Sequence, residues 1–306
     1  MKITDLKSGV YPTMITPYKD GEIDFGTVDK LVEWYIKSGC TGIFAVCQSS
    51  EMTFLSLKER VALAKAVVKA TDGRIQVVAS GHVSDSLDEQ VRETEAIAET
   101  GVDSFVLVSN RFDLHNDGDD VWIKNAEKFL SCVDKNVKFG IYECPKPYKR
   151  LLSPKLIRWI EKSGRFLFVK DTCCNPETIM KRGETLKNSG IKIFNANGQT
   201  LLYSLTKGYA GYSGIMANYF PELIVWLCDN YDKEPEKAEA VSDALSMMSF
   251  TEGPAYPCTA KYYLNKYVMP MEIFSRSCDA KKADAYQRYV MDQMHAFAMH
   301  TEKIYK

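Results

Sequence analysis

The sequence predicts an α/β protein, a (β/α)8 TIM barrel with a C-terminal helical extension. Short apolar runs suited to buried parallel strands alternate with amphipathic segments of helical period, and a glycine ends most of the helical segments. Eight such runs fall within about the first 215 residues. Regular alternation over this length favours a closed barrel, with an open doubly wound sheet as the alternative.

The eight predicted strands follow one another along the chain. They span residues 10–15, 43–46, 75–79, 105–108, 137–142, 166–169, 191–194 and 209–213. Six of them begin within a few residues of a glycine that is expected to end the preceding helix, namely Gly39, Gly73, Gly101, Gly164, Gly190 and Gly208. This repeated order of helix end and apolar run indicates successive β/α units.

Capping residues mark the starts of several predicted helices. Ser56 and Glu59 have the spacing of a capping box, and apolar residues on one helical face follow them. The box spacing recurs at Ser86-x-x-Glu89, and a capping residue precedes a proline at Ser153-Pro154 and Asn175-Pro176.

The chain is predicted to divide into a barrel, residues 1–220, and helices packed on it, residues 221–306. Tyr286, Val290, Met294 and Phe297 recur at helical spacing, so we expect them to form the buried face of a terminal helix. Two other helices are expected before it. The methionine and aromatic residues there indicate packing rather than a cofactor site.

Composition and charge narrow the class of protein. The chain is 45% hydrophobic and 26% charged, which is typical of globular proteins, and its net charge of −1 does not suggest a nucleic-acid partner. Residues 1–7 lack the apolar run of a signal peptide, and no segment approaches the roughly 20 apolar residues that span a bilayer. We therefore expect a cytoplasmic protein without a membrane partner.

The cysteines and histidines do not suggest a metal site. Nine cysteines, with no C-x-x-C pair, favour free thiols in a reducing compartment. A redox pair at Cys173-Cys174 is disfavoured because a disulfide between adjacent residues is strained. His82 has no partner at metal-ligand spacing, so a structural or substrate-contacting role is expected. We expect no metal and no organic cofactor.

Two residues at predicted strand ends carry candidate chemistry, because barrel enzymes react at the C-terminal ends of their strands. Lys170 follows the apolar run 166–169, where burial lowers an amine's pKa and allows it to attack a ketone. Alternatively, its side chain extends to solvent. Tyr142 ends the preceding strand and could transfer protons beside this lysine. Its alternative role is an aromatic cover on the core.

Other polar residues at strand ends are candidate substrate contacts. Ser49 and Ser50 could hold a substrate carboxylate or form a turn at the start of a helix. Gln48, Glu143 and Ser213 lie at comparable positions. The glycines near the last strand could hold a phosphate, but their spacing is not that of a phosphate loop; they are Gly208, Gly211 and Gly214.

The order and spacing of these motifs resemble the dihydrodipicolinate synthase / N-acetylneuraminate lyase family. The resemblance rests on residues 9–17, 47–51, 141–145, 169–171, 196–198 and 211–214, with Lys170 following Tyr142 by 28 positions. It implies that Lys170 forms a Schiff base, that Tyr142 shuttles protons, and that Ser49 and Ser50 bind the carboxylate of a 2-keto acid. It also implies a homo-oligomer, a dimer or tetramer, that needs no cofactor or metal.

Several positions depart from the synthase pattern. Gln48 and Phe112 stand where the synthase has a threonine and a neighbouring subunit's tyrosine in a proton relay. Pro147 occupies the place of the arginine that binds the aldehyde partner, and the nearest arginine is Arg150. Glu143 replaces the usual asparagine. These departures argue against dihydrodipicolinate synthesis.

The sequence therefore predicts a Schiff-base lyase or aldolase acting on pyruvate or a 2-keto-3-deoxy acid. Three alternatives are a 2-keto-3-deoxy sugar acid dehydratase, a non-catalytic keto-acid-binding barrel, and a phosphate-binding isomerase. The outer pocket would choose the substrate, and its candidate residues are His82, Phe112, Glu143, Pro147 and Arg150.

Overall fold

Eight parallel strands enclose the core in the computed structural model, which describes residues 5–305. They are β1 (Gly9–Val10), β2 (Gly42–Ala45), β3 (Gln76–Ala79), β4 (Ser104–Val108), β5 (Phe139–Tyr142), β6 (Phe166–Asp171), β7 (Lys192–Asn195) and β8 (Gly211–Tyr212). All eight predicted strands are confirmed. The signal-peptide prediction concerns residues 1–7, of which 1–4 lie outside the described range.

The barrel closes between its first two strands. Strands β2 to β8 pair in chain order and β8 pairs with β1. Beyond β1, Thr13 forms a parallel bridge with Phe44. There the Phe44 N–H donates to the Pro12 carbonyl at 2.9 Å, and the Met14 N–H donates to the Phe44 carbonyl at 3.1 Å. The closed barrel is therefore confirmed over the open sheet.

Each strand is followed by a helix, as the alternating pattern predicts. The helices are α1 (Phe25–Lys37), α2 (Leu57–Thr71), α3 (Leu87–Ala98), α4 (Asp119–Cys132), α5 (Pro154–Ser163), α6 (Pro176–Leu186), α7 (Leu201–Thr206) and α8 (Pro221–Asn230). Ser56 and Glu59 form the predicted capping box. Ser153 and Asn175 are the N-caps of α5 and α6, whose first residues are the predicted prolines. A short hairpin, Tyr18–Lys19 with Glu22–Ile23, was not predicted.

Aromatic rings fill the barrel beneath its C-terminal mouth. The Phe168 ring stacks on Phe194 with centroids 4.8 Å apart, and Tyr11 packs edge-on against Phe194 at 4.7 Å. Gly42 leaves the space for this packing, because a Cβ there would lie 2.2 Å from the Tyr11 ring. The barrel interior is therefore a solid core that supports whatever lies above it.

The C-terminal extension consists of α9 (Pro235–Met248), α10 (Cys258–Tyr267) and α11 (Ala285–Tyr305). Helix α8 packs on β1 and β8 and so completes the barrel. It also packs on α9, so it contacts both the barrel and the extension, and the division after residue 220 stays a prediction.

The predicted buried face of α11 was only partly right. Met294 is buried, but Tyr286 is 68% exposed and Phe297 is 44% exposed. The helix instead buries Met291, Met294, Ala298 and Thr301. Apolar residues occur on more than one side of this helix, so periodicity selected the wrong stripe.

Two further expectations concern the whole chain. Within residues 5–305, no helix has both the length and the apolar character that a membrane span requires. The nine cysteines are free thiols, including the adjacent Cys173 and Cys174.

Candidate active site

A cleft of about 350 Å³ opens at the C-terminal ends of the barrel strands. Residues from four strand ends and from the C-terminal extension line it. They are Gln48, Ser49, Glu51, Thr53, Phe54, Tyr142, Pro145, Lys146, Lys170, Ile215, Gly253, Tyr256, Pro257 and Ser277. Four of the seven predicted site residues therefore meet in one cleft: Gln48, Ser49, Tyr142 and Lys170.

Lys170 provides a buried amine at the floor of this cleft. Only 5% of the residue is exposed, and burial lowers the pKa of its ammonium from 10.5 to about 8. Its Nζ lies 4.2 Å from the ring centroid of Tyr142 and 5.7 Å from that of Phe44. With a pKa of 8, about one molecule in five carries the neutral amine at pH 7.4, against about one in a thousand for an ordinary lysine.

Tyr142 is adjacent to Lys170 because β5 and β6 pair in parallel with these two residues in register. Burial raises the pKa of its phenol well above 10, so the hydroxyl is protonated at neutral pH. The hydroxyl donates to Gln48 Oε1 at 3.2 Å, and the Cys144 thiol donates to the same oxygen at 3.1 Å. A carboxamide oxygen orients the phenol but does not relay its proton.

The two predicted serines have different environments. Ser49 lines the cleft, and its hydroxyl donates to Thr13 Oγ1 at 3.1 Å. The fully buried Ser50 instead stabilises the loop: its Oγ donates to the Met14 carbonyl at 2.6 Å and accepts from the Cys47 N–H at 3.1 Å. The turn alternative therefore describes Ser50, whereas Ser49 lines the cleft and its substrate contact stays a prediction.

Ser213 and Glu143 do not line the cleft, which corrects two predicted substrate contacts. Ser213 is fully buried, and its Oγ has no hydrogen-bond partner within residues 5–305. Glu143 is also fully buried and pairs with Arg182 at 2.6 Å. Since Arg182 Nη1 also contacts Asp171 at 2.7 Å, one guanidinium pairs with two carboxyl groups from neighbouring strand ends.

The Glu143 carboxylate positions the two strands that bear the candidate catalytic pair. It accepts from the Leu152 N–H at 2.6 Å and from the Thr172 N–H at 2.8 Å. Burial raises the pKa of Glu143, whereas the pKa of Asp171 is lowered, since the Arg182 charge and hydrogen bonds outweigh its desolvation. Glu143 thus acts on the backbone beyond Lys170 and not on the cleft.

The predicted outer pocket also needs correction. Arg150 is buried between Asp113 at 2.7 Å and Asp119 at 3.1 Å, so its guanidinium is already neutralised. Phe112 and His82 pack together with ring centroids 5.3 Å apart, inside the protein. Pro147 is exposed beside the cleft but is not part of its lining. The sequence positions of these four residues did not show whether their side chains line the cleft.

The C-terminal extension contributes residues that sequence reasoning missed. Gly253, Tyr256 and Pro257 lie between α9 and α10, more than 80 residues beyond Lys170, and form one wall of the cleft. Lys146 adds an exposed amine to its rim. No local pattern marked these residues, because their role depends on how the extension folds over the barrel.

The glycines near the last strand serve packing. A Cβ at Gly211 would lie 1.8 Å from the Gly9 carbonyl oxygen, and one at Gly214 would lie 2.4 Å from the Ala196 carbonyl oxygen. Gly208 has a φ of 87° at the end of a helical turn. Packing at Gly211 and Gly214 and the positive φ of Gly208 explain why glycine occurs at these positions, so no phosphate site is needed to explain them. Across residues 5–305, no three His, Cys, Asp or Glu side chains cluster as metal ligands.

Residues 6–291 match the model of the dihydrodipicolinate synthetase family. The chain belongs to this family. A 4-hydroxy-tetrahydrodipicolinate synthase of Methanococcus maripaludis strain C5 is 24% identical over 268 residues, which cover 86% of this chain and 89% of the relative. The corresponding synthase of Roseobacter denitrificans is 28% identical over 216 residues, 66% of this chain and 71% of its own. As a member of this family, the chain is an enzyme of the lyase class.

Solved structures of family members share the fold. A dihydrodipicolinate synthase of Acinetobacter baumannii, complexed with pyruvate, superposes with a TM-score of 0.84 at 19% identity, covering 95% of this chain and 99% of that one. A catalytic-lysine mutant of the Ruminococcus gnavus sialic acid aldolase gives 0.85 at 17% identity, covering 98% of both. The same barrel and extension thus occur in a synthase and in an aldolase.

Proposed function

We propose that this lyase binds a 2-keto acid as an imine on Lys170 and makes or breaks the adjacent carbon–carbon bond. The observation that carries the proposal is the buried amine of Lys170, which lies over the ring of Tyr142 at the floor of an open cleft. Pyruvate and 2-keto-3-deoxy acids are the substrates that this arrangement suits.

The two residues have complementary tasks. The neutral Lys170 amine attacks the keto carbon, water leaves, and the resulting iminium withdraws electrons from the bond beside it. Tyr142 holds its proton until a more basic substrate oxygen is formed and recovers it in the reverse step. Because its hydrogen-bond partner is the Gln48 carboxamide, the proton exchanges with the substrate rather than along a protein relay.

The carboxylate of the keto acid is placed against Ser49, which lines the cleft. Lys146, at the rim, offers an ammonium for a carboxylate or hydroxyl at the far end of the substrate. Arg150 cannot serve as that contact while Asp113 and Asp119 neutralise it. We therefore favour cleavage or synthesis of a 2-keto-3-deoxy acid over dihydrodipicolinate synthesis.

Borohydride trapping tests this proposal. The protein is incubated with pyruvate, reduced, digested and analysed by peptide mass spectrometry. An adduct on the peptide that contains Lys170, absent from Lys170→Ala, is the expected result. Lys69→Ala, an exposed lysine on α2, provides a control that should keep the adduct. Absence of an adduct with pyruvate and with every longer 2-keto acid would exclude the imine.

Two alternatives give different products. Dehydration of a 2-keto-3-deoxy sugar acid uses the same imine but expels a hydroxyl, so an adduct forms and no pyruvate is released. Aldol cleavage releases pyruvate and an aldehyde. A non-catalytic keto-acid-binding barrel would show binding by calorimetry, retained in Lys170→Ala, without turnover of any 2-keto acid.

Self-association into a dimer or tetramer, with a cytoplasmic location, is part of the proposal. The family resemblance supports the oligomer. Sedimentation velocity measures its size directly, and a monomer at micromolar concentration would contradict it.

A further inference from the structure

Two cysteines of the C-terminal extension lie against each other's segments beside the cleft. Cys258 is the first residue of α10, and Cys278 lies in the connection between α10 and α11. The Cys258 thiol donates to the Cys278 carbonyl at 3.5 Å, and the Cys278 thiol donates to the Ala255 carbonyl at 3.6 Å. Each thiol therefore contacts the segment that carries the other cysteine, although 20 positions separate the two residues.

The two thiols differ in their access to solvent. Cys258 is fully buried, whereas Cys278 is partly exposed, and neither is in a disulfide. Burial, followed by the neighbouring Cys278, raises the pKa of Cys258 to about 12. Because a thiolate is the species that attacks a disulfide, an oxidant that arrives from solvent reacts first at Cys278.

A buried ammonium group next to Cys258 favours its deprotonated form. Lys261 follows Cys258 by three positions on α10, so the two side chains project from the same face of this helix. The positive charge of Lys261 opposes the rise in the Cys258 pKa. A Cys258 thiolate that forms during an exchange reaction is therefore stabilised by an adjacent cation.

Both cysteines directly follow residues that line the cleft. Pro257 precedes Cys258, and Ser277 precedes Cys278. The Ser277 N–H donates to Glu51 Oε2 at 2.9 Å, and Glu51 also lines the cleft. A displacement of either cysteine is thus transmitted to the cleft lining through a single peptide unit.

We propose that Cys258 and Cys278 form a disulfide when the protein meets a small-molecule disulfide such as oxidised glutathione, and that this cross-link slows imine formation in the cleft. The cross-link itself is independent of the proposed function. Its effect on imine formation rests on that function.

The reaction consists of two thiol–disulfide exchanges. The Cys278 thiolate attacks one sulfur of oxidised glutathione, which forms a mixed disulfide and releases one glutathione thiolate. Cys258 then gives up its proton and attacks the Cys278 sulfur, which forms the intramolecular disulfide and releases the second glutathione. The two protein thiols lose two electrons and two protons, which convert one oxidised glutathione into two reduced molecules.

Forming the bond requires a movement of the chain. A disulfide holds its sulfurs about 2 Å apart, closer than any nonbonded contact, so at least one of the two segments shifts. Cys258 is held in α10, and the connection that carries Cys278 therefore moves more readily. That movement draws Ser277 away from Glu51, which follows Ser49 in the same loop. Since a shift of about 1 Å can cost 10²-fold in rate, we expect imine formation to slow about 10-fold or more.

Peptide mapping tests the cross-link. The protein is incubated with oxidised glutathione at about pH 8, where a partly exposed thiol is ionised to a useful extent. Free thiols are then alkylated, and the protein is digested without reduction. Trypsin cleaves after Lys261 and Arg276, so Cys258 and Cys278 fall in separate peptides. Mass spectrometry should find these two peptides joined, with a mass two hydrogens below their sum.

Two variants identify the source of any effect on the cleft. Cys278→Ser should lack the joined peptides, and its rate of borohydride-trapped pyruvate adduct should not respond to oxidised glutathione. Cys132→Ser removes an exposed cysteine of α4 and should behave like the wild type. In the wild type the trapping rate should fall about 10-fold or more on oxidation and recover with dithiothreitol. Thermal unfolding checks that each variant folds, and the wild-type map decides the cross-link by itself.

The outcomes separate this inference from the proposed function. Glutathione that stays on Cys278 without joined peptides would show that Cys258 does not reach it, which overturns the inference. Joined peptides with an unchanged trapping rate would overturn the effect on the cleft. A wild type that forms no adduct with any keto acid, oxidised or reduced, would overturn the proposed function, while the peptide map would still decide whether the cysteines pair.

Discussion

A buried ion pair joins the loop that carries Ser49 to the C-terminal extension, and its removal has a calculable cost. Lys261 Nζ lies 3.0 Å from Glu51 Oε1, and both side chains are 0% exposed. The Glu51 carboxylate also accepts from the Ser275 hydroxyl and from the Arg276 N–H, at 2.8 and 2.6 Å. Lys261→Met leaves this carboxylate buried without a counter-charge, which costs about 3 to 5 kcal/mol.

We expect the lower end of that range, because the remaining donors still stabilise the Glu51 carboxylate. Lys266→Met is the matched control: it lies on the same helix and pairs with Asp292 at 2.8 Å, but its side chain is 44% exposed. Solvent screens such a pair, so this variant should change stability much less. The double variant Lys261→Met/Glu51→Gln should recover part of the loss because it removes the lone charge.

Urea unfolding followed by circular dichroism gives the comparison, with the midpoint and slope fitted for each variant. Lys261→Met should also slow pyruvate trapping, since Glu51 follows Gln48 and Ser49 in the same loop. If Lys261→Met and Lys266→Met unfold at the same urea concentration, the ion pair does not hold the extension to the barrel. Our account of this contact would then be wrong.

Three further predictions concern separate parts of the molecule. Tyr142→Phe keeps the ring and loses the proton donor, so kcat should fall about 10²- to 10⁴-fold with little change in KM, and an unchanged kcat would contradict the proton role. Burial lowers the pKa of His82 to about 4, against 6.5 unfolded, and its Nδ1 accepts from the Val108 N–H. Between pH 6.5 and 4 the His82 side chain is protonated in the unfolded chain and largely neutral in the folded one. Its contribution should therefore lower the unfolding free energy by about 3 kcal/mol over this range. His82→Gln, measured by urea titration, should lack that drop. Gly183→Ala should lower the thermal midpoint because its Cβ would lie 2.0 Å from the Lys207 carbonyl oxygen, and a raised midpoint would refute the clash.

The sequence alone determined the elements of this fold. Alternating strand and helix periods predicted all eight strands, and short-range caps such as Ser56 with Glu59 predicted helix starts. These features depend on residues a few positions apart, which a linear pattern records. Lys170 and Tyr142 were also predictable as neighbours, because both end strands that are consecutive in a parallel barrel.

Only the tertiary structure decided which side chains face the cleft. Glu143 and Ser50 lie beside cleft residues in the sequence. In the structure, however, Glu143 pairs with Arg182, and the Ser50 hydroxyl donates to the Met14 carbonyl. Gly253 and Tyr256 come from a segment without a recognisable pattern, yet they line the cleft at the barrel mouth. Sequence patterns report the periodicity of one element, whereas the lining of a cleft depends on contacts between residues far apart in the chain.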